Sequence, residues 1–154
     1  MIRIRPFQSR YARPISDLFH HAVHSINPAI YSLQQQEAWA PTPPDYAEWA
    51  TRLEQTRPFI AESGGRPVGF IELEADGHID CFYTDPDTQG QGVGSALYQH
   101  LLHQAQQRGL KRLYVEASHL AKPVFRHWGF EVVRENRVQR NGIELINFSM
   151  QKSL

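Results

Sequence analysis

Cysteine is nearly missing from this sequence: Cys81 stands alone among 154 residues. A single cysteine excludes an internal disulfide and fits a reducing compartment. Its place inside an apolar run reads as a small buried hydrophobe rather than a nucleophile. Net charge is missing too, with 16 Lys and Arg against 16 Asp and Glu. That balance excludes a protein that holds nucleic acid through a broad positive field, so no nucleic-acid partner is expected. No apolar run approaches ~18 residues, and no charged-then-apolar leader opens the chain. The expectation is a soluble, cytoplasmic protein without a membrane partner. Repeats, low-complexity tracts and linkers are also lacking, which points to a single domain over 1–154. A homodimer is left open.

What is present reads as an α/β domain. Ile2 to Arg5 alternates as a short strand, and Pro14 to Asp17 opens a helix whose apolar stripe runs from Ile15 to Ile26. Residues 29–40 and 45–55 read as two further helices. Three strands follow, Pro58 to Glu62, Val68 to Ala75 and His78 to Thr84, joined by Gly64-Gly65 and Asp76-Gly77 turns. A helix over Val93 to Arg108, a strand over Leu110 to Ala117, a helix over 119–128 and a closing hairpin about Asn141-Gly142 complete the pattern. The strand–helix–strand unit around the long helix predicts a right-handed parallel crossover.

Eight histidines are scattered along the chain. His20-His21-x-x-His24 and His100-x-x-His103 have helical spacing that suits a metal. No carboxylate or cysteine stands at ligand spacing within either run. Both are therefore expected as solvated helix faces, and no metal is expected.

The chemistry concentrates in Asp85-Pro86-Asp87-Thr88-Gln89-Gly90-Gln91-Gly92-Val93-Gly94-Ser95, between a strand and the long helix. Glycines there let backbone N–H groups approach a phosphate at a helix N-terminus. A Walker loop needs Lys where Ser95 stands, and that reading fails. A nicotinamide-dinucleotide fingerprint would use Gly90-x-Gly92, with Glu116 at the next strand end as the ribose acid. Against it, Ser95 replaces the third glycine, Asp85 to Gln89 separate strand from glycines, and an antiparallel meander precedes the loop.

The third reading is coenzyme A. Gln89-Gly90-Gln91-Gly92-Val93-Gly94 resembles the Gln/Arg-x-x-Gly-x-Gly/Ala loop of the GCN5-related N-acetyltransferases, and Phe82-Tyr83-Thr84-Asp85-Pro86 resembles the strand that leads into it. The stretch Glu116-Ala117-Ser118 through Pro123-Val124-Phe125 to Gly129-Phe130 is similar to the family's second signature. The closing hairpin, Ala38-Trp39-Ala40 and Trp49 resemble one bacterial subgroup.

The resemblance implies a mixed, mostly antiparallel sheet of about seven strands, its fourth and fifth parallel and splayed. It implies acetyl-CoA as co-substrate and direct transfer of the acetyl group to a primary amine of a small molecule or peptide. Carried over residue by residue, it assigns Phe82, Tyr83, Thr84, Gln89, Gly90, Gln91, Gly92, Val93, Gly94, Ser95, Ser118, Val124 and Phe125 to coenzyme A. The thioester oxyanion would meet a backbone N–H near Tyr83 or Thr84.

One departure concerns the general acid: counting from Ser118, many relatives' tyrosine is Phe125 here. Tyr83 or water is left for that role. Asp80, charged within an apolar run, is the first choice for the base, with His78, Glu72, Glu74 and Glu116 nearby. Alternation places residues 78, 80 and 82 on one face of their strand. Tyr31, Trp39, Trp49, Tyr46 and Glu72 are the expected acceptor-binding set. Phe125 also keeps open a coenzyme A-binding module without catalysis.

Overall fold

The computed structural model describes all residues from Met1 to Leu154. Its framework is one seven-stranded sheet with strand order β1-β2-β3-β4-β5-β7-β6. In chain order the elements are β1 (Arg3–Pro6), a 3-10 turn (Ser9–Tyr11), α1 (Ala12–His24), α2 (Leu33–Trp39), α3 (Tyr46–Thr56), β2 (Phe59–Ser63), β3 (Arg66–Leu73) and β4 (His78–Thr84). There follow a 3-10 turn (Pro86–Thr88), α4 (Val93–Gln107), β5 (Arg112–Ala117), α5 (Ala121–His127), β6 (Glu131–Arg140) and β7 (Ile143–Ser153).

Every neighbouring pair is antiparallel except β4 and β5, which are parallel. This is the expected topology, and it is not the doubly wound parallel sheet that a nicotinamide fingerprint requires.

Two apolar clusters cover the two faces of the sheet. α4 contributes Val93, Leu97, Tyr98, Leu101 and Ala105 to one, and α5 adds Phe125. On the other face lie Tyr11, Ile15 and Leu18, with Leu53 of α3 and Phe70 and Cys81 of the sheet. Fully buried aliphatic side chains such as Leu97 and Leu101 each contribute about 2 kcal/mol.

Helix starts differ from the pattern-based expectation where side-chain caps decide them. The second helix begins only at Leu33, because Ser32 and Gln35 form a reciprocal capping box. Asp45 caps α3 through the Glu48 N–H. Ser118 accepts from Ala121 N at 3.1 Å, so α5 starts at Ala121 rather than beside the serine.

β4 carries the feature that matters most for the site. It pairs with β5 only at His78↔Tyr114 and Ile79↔Val115, whereas β5 continues with β7 to Ala117↔Phe148. Beyond Ile79 the two strands splay. Against β3, the register jumps from Ile71↔Phe82 to Leu73↔Ile79. Two residues, Asp80 and Cys81, therefore oppose Glu72 in a β-bulge. The bulge overturns the expectation that residues 78, 80 and 82 share a face. Asp80 and Cys81 both approach Arg52 on the α3 side, while Phe82 packs on Phe125 and Trp128 on the opposite side. Strict period-two counting fails because the extra residue shifts the alternation.

Candidate active site

The splay opens a cleft of about 710 Å³ between β4 and the start of α4. Phe82, Tyr83 and Thr84 form its strand wall, and Gln89, Gly90, Gly92, Val93, Gly94 and Ser95 form its floor. Asp85 organises the approach: it accepts from Asp87 N at 2.9 Å and from Arg66 at 3.1 Å. The residues between strand and glycines thus form a pinned 3-10 turn rather than a free loop.

Gly92 is the N-cap of α4 at φ 80°, with no side-chain cap. Only glycine takes that conformation without strain. The N–H groups of Val93, Gly94 and Ser95 consequently point into the cleft without intrahelical partners. They carry the positive end of the helix dipole, which suits a pyrophosphate. Gly94 has a different reason to be glycine: a Cβ there would meet Phe82 Cζ at 3.2 Å.

Ser118 and Val124 line the same cleft from the far side. Phe125 does not line it. It is 1% exposed and packs edge-on against Phe82, Trp128 and Phe130. Consecutive residues on a helix point about 100° apart, so Val124 and Phe125 cannot both face the cleft. Gln91 also lies outside the lining; its N–H bonds to Thr88 O. Missed at the sequence level are Ala22, Ser25, Ile26, Asn27 and Ile30, the end of α1 and its following loop, which form a further wall. Nothing in their composition marks them as binding residues.

A second cleft of about 610 Å³ opens on the α1–α3 side. Trp39, Trp49, Phe19, Asp80 and Arg52 line it, and Gln139, Arg140 and Asn141 of the β6–β7 hairpin overhang it. Asn141 ties the hairpin down by donating to Ala38 O at 2.8 Å.

The expected acceptor set divides here. Trp39 and Trp49 line the cleft. Tyr31 does not: its hydroxyl donates to Ile146 O and accepts from His119 N, behind Trp39. Tyr46, at the first turn of α3, reaches across to Asp17 of α1. Glu72, 1% exposed, lies beneath the floor and accepts from Arg52 at 2.7 Å.

Arg52 is the residue that sequence reading overlooked. Its guanidinium donates to Glu72, to Asp80 at 2.9 Å and to Cys81 Sγ at 2.9 Å, and lies over the Trp49 ring. Burial works against its charge, but the Cys81 sulfur and the Glu72 and Asp80 carboxylates more than offset this, so its pKa rises. Burial pushes the Cys81 thiol well up, and Glu72 adds to the shift; the sulfur is an inert thiol.

The two clefts meet at Tyr83 and Trp39, which line both. Trp39 Nε1 donates to the Tyr83 hydroxyl at 3.2 Å. Loss of solvent around that hydroxyl raises its pKa far above the usual tyrosine range. Tyr83 therefore stays protonated, with its own O–H free to donate.

His78 lies apart from both linings. Its Nδ1 contacts Glu74 at 2.5 Å and its Nε2 contacts Glu116 at 2.7 Å. Burial lowers its pKa, and the two carboxylates outweigh that and raise it. Glu116 is engaged in this clamp across β4 and β5, not in a cofactor contact.

Comparison with known proteins agrees with this geometry. Residues 29–153 match the model of the acetyltransferase (GNAT) domain. The chain is 33% identical over 150 residues to the uncharacterized N-acetyltransferase YafP of Escherichia coli (strain K12), covering 97% of this chain and 95% of the relative. A crystal structure from Rhodopseudomonas palustris, described as a GCN5-related N-acetyltransferase, aminotransferase class II, superposes with TM-score 0.92 at 37% identity, covering 99% and 95% of the two chains. The PaiA N-acetyltransferase of Thermoplasma acidophilum, solved with coenzyme A, shares the fold at TM-score 0.78 and 15% identity, over 100% and 99%. With a family model matching most of its length and relatives above 30% identity over nearly all of it, the chain belongs to the GNAT acetyltransferases.

Proposed function

We propose that this protein transfers the acetyl group of acetyl-CoA directly to a primary amine of a small molecule or peptide, a small amine fitting best. The observation that carries the reading is the meeting of the two clefts at Tyr83 and Trp39. One cleft is built for a pyrophosphate and an extended arm. The other is walled by aromatic rings and carries an acidic side chain, which suits a cationic amine.

In the donor cleft, the Val93, Gly94 and Ser95 N–H groups hold the pyrophosphate. The pantetheine amides pair with the free edge of β4. Asp85 N bonds to Val68 O, so by alternation Tyr83 turns its backbone groups to β3. Phe82 and Thr84 then turn theirs to the open side. The Thr84 N–H is thus our candidate donor to the thioester oxyanion.

The chemistry takes two protons from the attacking nitrogen and delivers one to the leaving sulfur. An alkylammonium, with pKa near ~10, must lose a proton before its nitrogen attacks the thioester carbon. Asp80 takes that proton directly or through water; Arg52 holds one of its oxygens, and the residue lines the second cleft. Tyr83 gives its proton to the leaving thiolate as the tetrahedral intermediate collapses, and regains one when the attacking nitrogen sheds its second proton to become the amide. Phe125, buried and protonless, takes no part.

The test is release of free CoA thiol from acetyl-CoA in the presence of an amine panel. Turnover well above background hydrolysis is expected with at least one amine. Tight acetyl-CoA binding with no turnover on any amine would identify a non-catalytic binding module, and a thermal shift with NAD but not with coenzyme A would overturn the donor assignment.

A further inference from the structure

The unabsorbed sequence feature is the histidine run of α1. His20 and His24 lie one turn apart, with rings stacked at 4.1 Å and 23°. Their spacing carries no carboxylate of its own, but the fold supplies one. Glu37 of α2 places Oε2 3.6 Å from His24 Nε2. The ligand atoms of His20, His24 and Glu37 all lie within 4.8 Å of one another.

Hydrogen bonds already hold these side chains in place. His20 Nε2 lies 2.7 Å from Thr42 Oγ1, and that hydroxyl donates to Glu37 Oε2 at 2.9 Å. His24 Nε2 lies 2.7 Å from Ala40 O. Two imidazole nitrogens and a carboxylate oxygen thus lie within reach of one ion.

We propose that this spot binds a divalent transition-metal ion of the Zn²⁺ class, with His20, His24 and Glu37 as ligands. Bonds of about 2.0–2.1 Å bring tetrahedral ligand atoms to about 3.3 Å apart. Rotation of the exposed Glu37 side chain and the two half-buried rings covers that contraction. Each ring exchanges its Nε2 proton for one at Nδ1, which has no hydrogen-bond partner within the protein, so ligation releases no net proton. Imidazole and carboxylate donors suit Zn²⁺, with Co²⁺, Ni²⁺ and Cu²⁺ as competitors.

Three other clusters of metal-ligating side chains already contain a cation. Arg52 occupies Glu72, Asp80 and Cys81. Arg66 occupies Asp85 beside His21. In the Glu74, His78 and Asp80 group, the raised imidazolium of His78 is itself the cation. Only the His20 group has no Lys or Arg partner. Because His20 also lines the acceptor cleft, the ion would lock α1 to the end of α2, where Ala38, Trp39, Ala40 and Pro41 form one wall of that cleft.

The test uses the full chain, stripped with EDTA and free of acetyl-CoA, so it stands apart from the transferase reading. Titration with Zn²⁺ by calorimetry, and with Co²⁺ by visible d–d absorption, should show saturable one-to-one binding and a raised Tm. Glu37→Gln changes an exposed side chain and should keep the fold. It should weaken binding more than about 10-fold, since even partners that merely support a ligand are worth that much. His20→Asn with His24→Asn should abolish binding, and His100→Asn with His103→Asn should leave it intact. Wild-type protein binding Zn²⁺ no tighter than the His20 and His24 double variant, or Glu37→Gln binding as wild type, would overturn the site.

Discussion

The two clefts, proposed above as donor and acceptor sites, differ in what they are made of. The donor cleft is mostly backbone: an open strand edge from Asp80 to Thr84, and the uncapped N-terminus of α4. The acceptor cleft is mostly side chain, drawn from α1, α2, α3, β4 and the β6–β7 hairpin. Backbone recognition needs a local conformation, which glycines and a helix start specify within a dozen residues. Side-chain recognition needs elements far apart in sequence to converge. The first kind of site should tolerate changes in the second, and the reverse.

The largest expected effect breaks the donor side alone. Gly92→Val places a branched residue at φ 80°, and Gly94→Val drives a side chain into Phe82. Each should weaken acetyl-CoA binding about 100-fold by calorimetry, the loss of one or two charge-assisted N–H bonds at about 1.5–3 kcal/mol each. Unchanged binding would refute the loop assignment.

Next in size is Arg52→Gln, which strands the Glu72 carboxylate beneath the acceptor cleft. A fully buried pair broken this way loses about 3–5 kcal/mol. Arg52 keeps 36% of its side chain exposed, so about 2–3 kcal/mol is expected in urea unfolding. Adding Glu72→Gln should restore much of it. Acetyl-CoA affinity should not move, which is the sharpest test of the division between the clefts.

Tyr83→Phe probes the junction. It removes one proton and little volume, and should lower kcat about 10-fold or more while the acetyl-CoA Kd stays put. An unchanged kcat would pass the role to water.

The smallest effect concerns His78, which clamps β4 to β5 just before the splay. Its folded pKa is raised above the unfolded value of 6.5. The charged imidazole therefore stabilises the fold below about pH 6.5, and this is lost as pH rises through the folded pKa. Against His78→Gln, the wild-type advantage in Tm should be largest near pH 6 and shrink toward alkaline pH. A constant difference would mean the clamp acts by packing.

Legibility followed the same division. The meander, the crossover around α4, the Asn141-Gly142 turn and the glycine loop were readable because each depends on neighbours in sequence. Trp39 and Trp49 line the second cleft and Tyr31 and Tyr46 do not, a difference invisible in the sequence because all four read alike as helix-borne aromatics. Arg52 carried no signal at all: an arginine on an amphipathic helix normally faces water.

Sequence alone determined the glycine loop and the uncapped helix start, because φ-permissive glycines, a helix dipole and a strand exit are local properties. Tertiary structure decided the rest. The bulge at Asp80 and Cys81 turned two neighbouring side chains to one face, burial made Phe125 core, and packing of α2 on α1 brought Glu37 to the histidine pair. Each depends on long-range contacts whose energies are settled only when the whole sheet and its helices close around them.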